Sequence, residues 1–309
     1  MSLLEKLQER VSKVARDHAK LSEELERALE LYRSELNKPY RCNGGIELPG
    51  EAVFLVIGDI HGDYDTLLEF LQRGKAEEVL EEGYIVFLGD YIDRGPKQVE
   101  SILLPLLLKL EEPERVVMLR GNHEPPEDLV PYPHDFPDVL FSRYGSKGIK
   151  LYKAFMSLFE LLPYVAVARG SILFLHGGPP TMFPEKEDWK VYFSLDSKEP
   201  IPQVLEEVLW NDPDDYVEEW EFSPRGAGRL FGAKITERAL KITGTRVIVR
   251  GHEPADEGYK FNHRRKVLTL FSRLGPPYMN KRAAVLRVDT SEERWAENLD
   301  KYIVKIGQD

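Results

Sequence analysis

The sequence contains the stretch Gly89-Asp90-Tyr91-Ile92-Asp93-Arg94-Gly95 directly after the apolar run YIVFL at residues 84–88. A short apolar run that ends at a glycine is typical of a buried strand. The glycines allow the loop after the strand to turn tightly and to approach a ligand. Carboxylate oxygens bind divalent cations, and an arginine side chain binds phosphate. The stretch therefore predicts either an ordinary acidic βα loop or a metal and phosphate site, and the neighbouring motifs decide between the two.

Four other apolar runs end in the same way, with glycine beside Asp, Asn or His. They lie at residues 53–57, 115–119, 171–175 and 246–249, and they lead into GDIHG (58–62), RGNHE (120–124), HGG (176–178) and RGHE (250–253). In α/β sheets, ligands bind beyond the carboxyl ends of the strands, where neighbouring loops converge. Most of the seven histidines lie in these loops, namely His61, His123, His176 and His252. The sequence therefore predicts one site that several loops build together.

The side chains of these loops offer only nitrogen and oxygen as metal ligands. The single cysteine, Cys42, lies elsewhere, and an N/O set suits Mn²⁺, Fe or Zn²⁺. These side chains are too many for one metal that keeps an open position. They suit two metals about 3.5 to 4 Å apart that share a carboxylate and clamp an in-line phosphoryl displacement. The predicted metal ligands are Asp59, His61, Asp90, Asn122, His176 and His252, with Asp90 as the bridge.

His123 directly follows a predicted ligand, so it can point into the site without binding a metal. It would then act as general acid for the leaving oxygen, and Asp93 would fix its tautomer and raise its basicity. Arginine side chains would hold phosphate oxygens and offset the charge that builds up in the transition state. The predicted phosphate-binding arginines are Arg94, Arg225 and Arg250.

These motifs resemble the signature set of the PPP-type serine/threonine protein phosphatases, within the calcineurin-like metallophosphoesterases. The likeness covers most of residues 50–290 and extends to LWNDP (209–213), RGAG (225–228) and TLFS (269–272). The resemblance implies a four-layer α/β/β/α sandwich with a dinuclear metal site at its edge. It also implies in-line attack of a metal-bridging hydroxide on phosphoserine or phosphothreonine, with His123 as proton donor. Mn²⁺ is the expected metal, and Fe or Zn²⁺ are alternatives.

The resemblance assigns roles to individual residues of this chain. One metal takes Asp59, His61 and Asp90, and the other takes Asp90, Asn122, His176 and His252. The phosphate-binding set comprises Arg94, Asn122, Arg225, Arg250 and Tyr278. Arg250 also fits a place behind the metal ligands, and Tyr278 fits packing as well as a substrate contact. We expect Asp212 to start a turn, Trp210 to pack, and Glu124 and Glu253 to lie behind the ligands or on the surface.

Two segments depart from the family pattern. Pro179-Pro180-Thr181 follows HGG where the eukaryotic enzymes have a Leu/Ile-Ser-Pro sequence. After TLFS the chain continues as RLGPPYM (273–279), so the active-site loop takes a different course and Met279 replaces the family's cysteine. The pattern looks more like an archaeal or bacterial member than a eukaryotic catalytic subunit.

Residues 1–38 contain neither glycine nor proline, and their apolar positions recur at helical spacing. The seam consists of Leu4, Leu7, Val11, Val14, Leu21, Leu25, Ala28 and Tyr32, with His18 in the one gap. The pattern predicts one long helix, or two helices that break near Ser22 as an N-cap. It favours helices packed on the main domain, and the alternative is a surface for a homodimer or another partner. We expect His18 to pack in the seam. The predicted division is a helical segment, residues 1–40, and a catalytic domain, residues 41–309.

Composition and charge limit the classes of partner. The formal net charge of −11 argues against binding along a nucleic-acid backbone, which requires lysines and arginines to neutralise phosphates. The sequence has no apolar run of about 18 residues that would span a membrane, and its N-terminus lacks a signal-peptide pattern. One cysteine fits a reducing compartment. We therefore expect a cytoplasmic protein without nucleic-acid or membrane partners, and the family resemblance implies phosphoproteins as its substrates.

Two other functions fit part of the pattern. A small-molecule phosphoesterase, such as a dinucleoside polyphosphate hydrolase, would share the first three motifs, but the blocks around Trp210 and Arg225 argue against it. A non-catalytic phosphoprotein-binding scaffold would share the fold, but the complete set of ligands and the general acid argue against that function. The sequence therefore favours a protein phosphatase.

Overall fold

The computed structural model of the chain describes residues 1–42, 44–186, 188–195 and 202–307. Its helices are α1 (Leu3–Val14), α2 (His18–Glu35), α3 (Tyr64–Arg73), α4 (Ala76–Glu82), α5 (Gln98–Glu111), α6 (Phe136–Tyr144), α7 (Ser146–Leu161), α8 (Trp189–Tyr192), α9 (Gln203–Trp210) and α10 (Ala233–Thr243). Its strands are β1 (Arg41–Cys42), β2 (Gly45–Leu48), β3 (Val53–Ile57), β4 (Tyr84–Phe87), β5 (Val116–Met118), β6 (Val165–Ala168), β7 (Ile172–Leu175), β8 (Asp212–Pro213), β9 (Trp220–Phe222), β10 (Arg229–Phe231), β11 (Val247–Arg250), β12 (Tyr259–Asn262), β13 (Val267–Leu270), β14 (Arg282–Asp289) and β15 (Ile303–Gly307).

Two sheets carry the fold. One has the strand order β1-β2-β6-β7-β11-β13-β12, and the other has the order β15-β14-β3-β4-β5. Strands β3, β4 and β5 run parallel, as do β7, β11 and β13. A parallel bridge between Asp59 and Phe271 joins the sheets where β3 and β13 end. The carboxyl ends of both parallel sets therefore meet at one edge, and every motif loop leaves the sheets there.

The layers follow from the alternation of side chains along the strands. In β3, Phe54 and Val56 lie in the core between the two sheets, whereas Leu55 and Ile57 face the core formed with α1 to α7. On the outer side of the seven-stranded sheet, residues such as Leu173 pack against α8 to α10. The expected α/β/β/α sandwich is confirmed.

The N-terminal segment forms two helices, and the predicted break near Ser22 is wrong. The chain turns between α1 and α2, and Asp17 Oδ1 accepts the backbone N–H of Ala19 at 2.9 Å as the N-cap. His18 is therefore the first residue of α2 and is exposed, not packed in the seam. The sequence pattern missed this because two helices that restart at a cap can imitate one continuous period.

The apolar seam of α1 and α2 is buried within the chain. Leu21 and Leu25 are fully buried in the core that also contains α5 and α7. Two ion pairs accompany this packing: Arg10 Nη2 lies 2.6 Å from Glu24 Oε1, and Lys109 Nζ lies 2.6 Å from Glu35 Oε1. The packing agrees with the favoured interpretation of the seam, so these side chains are not available to a second chain.

Some elements fall where the sequence predicted none. Strand β2 lies within the turn-rich connector and pairs with β6, which follows the predicted helical region. A small sheet of order β8-β10-β9 lies in the part that the sequence indicated to be irregular. These strands are too short to show periodicity, and tertiary pairing decides them. Among the described residues, no helix is long and apolar enough to cross a membrane.

Candidate active site

The predicted metal ligands come together at the edge where the motif loops converge. All six side chains belong to buried residues: Asp59, His61, Asp90, Asn122, His176 and His252. Potential ligand atoms lie within 4.8 Å of one another in two groups that share Asp90. One group combines Asp90 with His61 and His123, and the other combines it with His176 and His252. This arrangement is what a bridging carboxylate requires.

The two carboxylate oxygens of Asp90 face different histidines. Oδ2 lies 3.2 Å from His61 Nε2, and Oδ1 lies 3.4 Å from His176 Nε2. On the His61 side, Asp59 Oδ2 is 3.9 Å from the same Nε2. On the other side, Asn122 Oδ1 lies 2.9 Å from His176 Nε2 and 3.0 Å from His252 Nδ1. Each half of the site therefore combines oxygen and imidazole nitrogen around a common point.

Backbone carbonyls set the orientation of two histidines. His61 Nδ1 lies 2.8 Å from Ile92 O, and His176 Nδ1 lies 2.9 Å from Leu88 O. Since a carbonyl only accepts, both Nδ1 atoms carry a proton, and in the neutral form of each ring Nε2 keeps a lone pair directed into the site. A second hydrogen bond of this kind is typical of histidines that bind a metal.

The electrostatics of the site favour bound cations. Burial disfavours the charged form of Asp90, but the surrounding histidines hold its pKa well below the usual range. Burial and the charge of Asp90 raise the pKa of Asp59. The pKa of His61 rises to about 8, because Asp90 and Asp59 outweigh the effect of burial. Burial lowers the pKa of His252, which stays neutral, and its Nε2 atom has no hydrogen-bond partner among the residues that the structure describes. Buried carboxylates beside imidazole nitrogens are a donor set that fits divalent cations.

Several residues of the site adopt a left-handed backbone conformation although they are not glycine. The φ angles are 42° for His61, 56° for Asp90, 65° for Asp93, 72° for Arg94 and 72° for His252. Such conformations cost on the order of 1 kcal/mol each and persist where the surroundings enforce them. Gly89, with φ 105°, permits this geometry, because a Cβ there would lie 2.4 Å from Gly121 N. The backbone is strained in order to direct these side chains inward.

Glu124 lies behind the ligands, which is one of the two positions expected for it, and not on the surface. It is fully buried, and its carboxylate accepts the backbone N–H groups of Asp90, Tyr91 and Gly121 at 2.8, 2.9 and 3.0 Å. The GNHE loop after β5 is thereby fixed to the loop after β4. Glu253 instead binds Arg250 and Lys260, each at 2.6 Å.

His123 forms a close pair with Asp93. Its Nδ1 lies 2.6 Å from Asp93 Oδ2, and its backbone N–H donates to Asp90 Oδ1 at 2.9 Å. Burial raises the pKa of Asp93, but hydrogen bonds from His123 and His134 lower it overall, so the carboxylate stays ionised. With Nδ1 occupied by Asp93, Nε2 is the nitrogen of His123 that remains for a substrate. His134 is a member of this group that the sequence did not indicate.

Arg94 and Arg225 both line the cleft above the ligands. Arg225 Nε donates to Asp212 Oδ2 at 2.7 Å, and its side chain remains 38% exposed. Burial opposes the charge of Arg225, but Asp212 raises its pKa. Asp212 therefore orients an arginine, a role that the sequence did not reveal. Arg94 Nη2 donates to Tyr132 O at 3.5 Å, and its backbone N–H donates to Asp135 Oδ1.

Arg250 is not positioned to bind phosphate, which corrects its place in the predicted phosphate-binding set. Its side chain is fully buried and does not line the cleft. The guanidinium donates to Gly177 O at 2.6 Å, to Asn211 O at 3.0 Å and to Asp212 Oδ1 at 2.9 Å. Its donors are directed at neighbouring loops because strand β11 ends at this residue and turns it between them. Arg250 therefore lies behind the metal ligands, which is the alternative that the sequence also allowed.

The cleft above the ligands has a volume of about 530 Å³ and an aromatic rim. The Tyr278 ring stacks on His61 with 5.8 Å between ring centres, and burial raises its pKa to about 12. Tyr278 thus both packs against a ligand and lines the cleft. Trp210 meets His252 edge-on at 5.6 Å. Tyr132, 94% exposed, is a rim residue that the sequence did not indicate.

The comparisons with known proteins agree with this geometry. Residues 52–256 match the family described as calcineurin-like phosphoesterase. The serine/threonine-protein phosphatase 6 catalytic subunit of Caenorhabditis elegans is 34% identical over 247 residues, which cover 78% of this chain and 71% of that protein.

One solved structure agrees with this relationship, and a second has the same fold. A protein serine/threonine phosphatase from Saccharomyces cerevisiae, with similarity to human phosphatase PP5, aligns with a TM-score of 0.77 at 25% identity, over 99% of this chain and 95% of that one. A cold-active protein-tyrosine phosphatase of a psychrophile, Shewanella sp., aligns with a TM-score of 0.51 at 20% identity, over 79% and 80% of the two chains, and shares the fold alone. The chain therefore belongs to the calcineurin-like phosphoesterase family, and within it to the serine/threonine protein phosphatases.

Proposed function

We propose that this chain is a metal-dependent protein phosphatase that hydrolyses phosphoserine and phosphothreonine monoesters. One observation carries the proposal: Asp90, which is grouped with His61 on one side and with His176 and His252 on the other, lines a cleft that Arg94, Arg225 and His123 also line. Ligands, arginines and a histidine beside a carboxylate are the groups that hydrolysis of a phosphate ester needs.

Two sets of side chains would hold divalent cations. One set is Asp59, His61 and Asp90, and the other is Asp90, Asn122, His176 and His252. When bound, such cations act as Lewis acids toward phosphate oxygens and lower the pKa of water. We propose Mn²⁺ as the metal because the donors are nitrogen and oxygen without thiolate, although Fe or Zn²⁺ also suit this set.

The residues of the chain would share the remaining work. Arg94 and Arg225 line the cleft from two different loops and would bind the non-bridging phosphate oxygens, offsetting the charge of the transition state. Asn122 also lines the cleft and would contribute a contact to phosphate. His123, protonated on both ring nitrogens, would donate its Nε2 proton to the departing serine or threonine oxygen, and Asp93 would hold the ring through Nδ1.

The proposed substrates are phosphoproteins. The cleft is open at the surface, and its rim of Tyr132, Pro277 and Tyr278 can accommodate a side chain presented on a polypeptide. The similarity to a serine/threonine-protein phosphatase catalytic subunit supports the same substrate class. We also propose a cytoplasmic location, because a single cysteine suits a reducing compartment. We propose no nucleic-acid partner, because the chain carries a net charge of −11.

A substrate panel tests the proposal. The metal-stripped protein, reconstituted with Mn²⁺, should release phosphate from phosphoserine and phosphothreonine peptides faster than from a phosphotyrosine peptide or a dinucleoside tetraphosphate. Chelator-treated protein is the control and should be inactive. A folded, Mn²⁺-loaded sample that cleaves only the dinucleotide would overturn the proposal in favour of a small-molecule phosphoesterase.

A further inference from the structure

Asp93 is shared by two histidines. Its Oδ2 atom lies 2.6 Å from His123 Nδ1 and 2.7 Å from His134 Nδ1. The carboxylate is fully buried, and each histidine side chain is only 6% exposed. His134 lies outside every motif, in the loop that leads into α6. One carboxylate oxygen thus accepts hydrogen bonds from the proposed general acid and from a histidine with no assigned role.

The hydrogen-bond roles fix the tautomer of His134. Both histidines must carry a proton on Nδ1 if both are to donate to the ionised Asp93. The Nε2 atom of His134 is then an acceptor, and the Tyr152 hydroxyl on α7 lies 2.9 Å from it. A neutral phenol can donate to this nitrogen. Tyr152 therefore holds His134 in the tautomer that can donate to Asp93.

The other oxygen of Asp93 is fixed by the start of α6. Oδ1 accepts the backbone N–H groups of Asp135 and Phe136 at 3.0 and 2.9 Å. Free N–H groups at a helix N-terminus stabilise a negative charge. The carboxylate therefore accepts four hydrogen bonds, and three of the donors belong to residues 134–136. The same loop carries Tyr132 at the rim of the cleft.

We propose that His134 and Tyr152 are positioning residues for the general acid. They fix the plane of the Asp93 carboxylate, and Asp93 in turn fixes the ring of His123. Without His134, one lone pair of Oδ2 is released to water, and the carboxylate can tilt away from His123. A displacement of about 1 Å at a catalytic group can cost about 100-fold in rate. This inference rests on the proposed function, because it takes His123 to be the proton donor.

The test compares two small esters that differ in their need for an acid. O-phosphoserine has a poor alkoxide leaving group, whereas 4-nitrophenyl phosphate has a good one. His134→Phe keeps an aromatic ring but removes the donor. We expect kcat to fall about tenfold or more on O-phosphoserine and less than about threefold on 4-nitrophenyl phosphate, with KM nearly unchanged. Tyr152→Phe should also lower the ratio of kcat on O-phosphoserine to kcat on 4-nitrophenyl phosphate, by a smaller factor.

Two further variants separate positioning from general stability. His134→Gln retains an amide N–H donor and should restore part of the activity on O-phosphoserine relative to that on 4-nitrophenyl phosphate. Tyr144→Phe removes a half-buried hydroxyl that donates to Ala15 O at 2.6 Å, away from Asp93, and should leave the ratio unchanged. If His134 acts through Asp93, the effects of His134→Phe and Asp93→Asn should be far from additive. Equal losses on both esters, or full additivity with Asp93→Asn, would overturn the inference.

The comparison does not depend on a phosphopeptide. A wild-type protein that cleaves both esters but no phosphopeptide would refute the proposed function and still decide the role of His134. If the wild type cleaves neither ester, NMR of ¹⁵N-labelled histidine provides the decision. His134→Phe should alter the Nδ1 signal of His123, and an unchanged signal in a folded variant would contradict the inference.

Discussion

Glu124 Oε2 lies 2.8 Å from the backbone nitrogen of Asp90, and this hydrogen bond fixes the loop after β5 to the loop after β4. The same carboxylate accepts two further N–H groups, from Tyr91 and Gly121. Asp90 is the residue that both ligand groups share, and its φ of 56° is one that a residue other than glycine rarely adopts. A buried acceptor on the neighbouring loop thus stabilises the conformation in which Asp90 can face both halves of the site.

Removal of this acceptor should destabilise the protein and the metal site together. Glu124→Ala would leave buried N–H groups without partners, at a cost of about 1 to 3 kcal/mol for each group that water cannot reach. We expect the free energy of unfolding in urea to fall by about 3 kcal/mol or more, and bound metal to fall with it. Glu127→Ala, an exposed position on the same loop, should change stability by less than about 0.5 kcal/mol. Equal stability of the two variants would contradict the role of Glu124.

The same residue predicts a pH dependence for the metal-free protein. Burial and the charge of Asp90 raise the pKa of Glu124 from 4.5 to about 8. Between these values the folded chain binds a proton that the unfolded chain has released, so this contribution to stability is lost as the pH rises toward about 8. Urea unfolding of chelator-treated protein across this range should show the loss, and Glu124→Gln should flatten it. An identical slope in that variant would assign the dependence to another group.

The sequence predicts most of the metal site because its ligands directly follow buried strands. Five apolar runs that lead into glycine-containing loops predict the strands. The residue types in each loop then indicate metal ligands or phosphate-binding groups. Asp93 and His123 could also be paired in advance, since the family resemblance links them. Arg250 shows the limit of this reasoning: it lies two residues before the predicted ligand His252, yet its guanidinium binds neighbouring loops instead of the cleft.

The contacts that the sequence did not reveal join residues that are far apart in the chain. His134 reaches Asp93 over 41 positions, and Arg225 reaches Asp212 over 13 positions. Neither follows a strand or repeats at a helical period, so no local pattern marks it. Strand β2 was missed for a related reason: its four residues become a strand through pairing with β6. Such features depend on contacts that only the folded chain defines.

Two substitutions in the loop after β4 should separate metal binding from proton donation. Asp90→Asn removes the shared carboxylate, so we expect most of the metal to be lost from both halves of the site and activity to fall with it. Asp93→Asn should retain the metal and lower kcat about 100-fold or more on alkyl phosphates, because His123 loses the carboxylate that holds its ring. Elemental analysis beside steady-state kinetics on the folded variants measures both. Loss of metal in Asp93→Asn would make Asp93 part of the metal site.

Arg225 should contribute to phosphate affinity. Asp212 holds its guanidinium at 2.7 Å while the side chain lines the cleft, so the arginine is oriented before a ligand arrives. We expect Arg225→Ala to raise the inhibition constant of inorganic phosphate about tenfold, the loss of a charge-assisted hydrogen bond. Arg264→Ala, an exposed arginine of the hairpin between β12 and β13, is the control and should leave the constant unchanged. An unchanged constant in Arg225→Ala would remove this residue from the phosphate site.

Variants of the buried pair Glu35–Lys109 test whether residues 1–40 unfold separately from the catalytic domain. Glu35 lies at the end of α2 and Lys109 in α5, and each side chain is no more than 3% exposed. We propose that the N-terminal helices are a constitutive part of the catalytic fold. On that basis Glu35→Gln should lower the free energy of unfolding of the whole chain by about 3 to 5 kcal/mol, because it leaves the ammonium of Lys109 buried without a counter-ion.

Two comparison variants complete this test. The double variant Glu35→Met with Lys109→Met removes both charges, and we expect it to be much closer to the wild type. Glu78→Gln breaks an exposed pair with Lys75, in which both side chains are 58% exposed, and should cost less than about 1 kcal/mol. All variants are compared by urea unfolding followed at two probes, one in α1 or α2 and one at the metal site. If Glu35→Gln unfolds the helices at lower urea while the metal site keeps its wild-type midpoint, the helices are a separate unit and the proposal is wrong, since one shared core must lose both signals together.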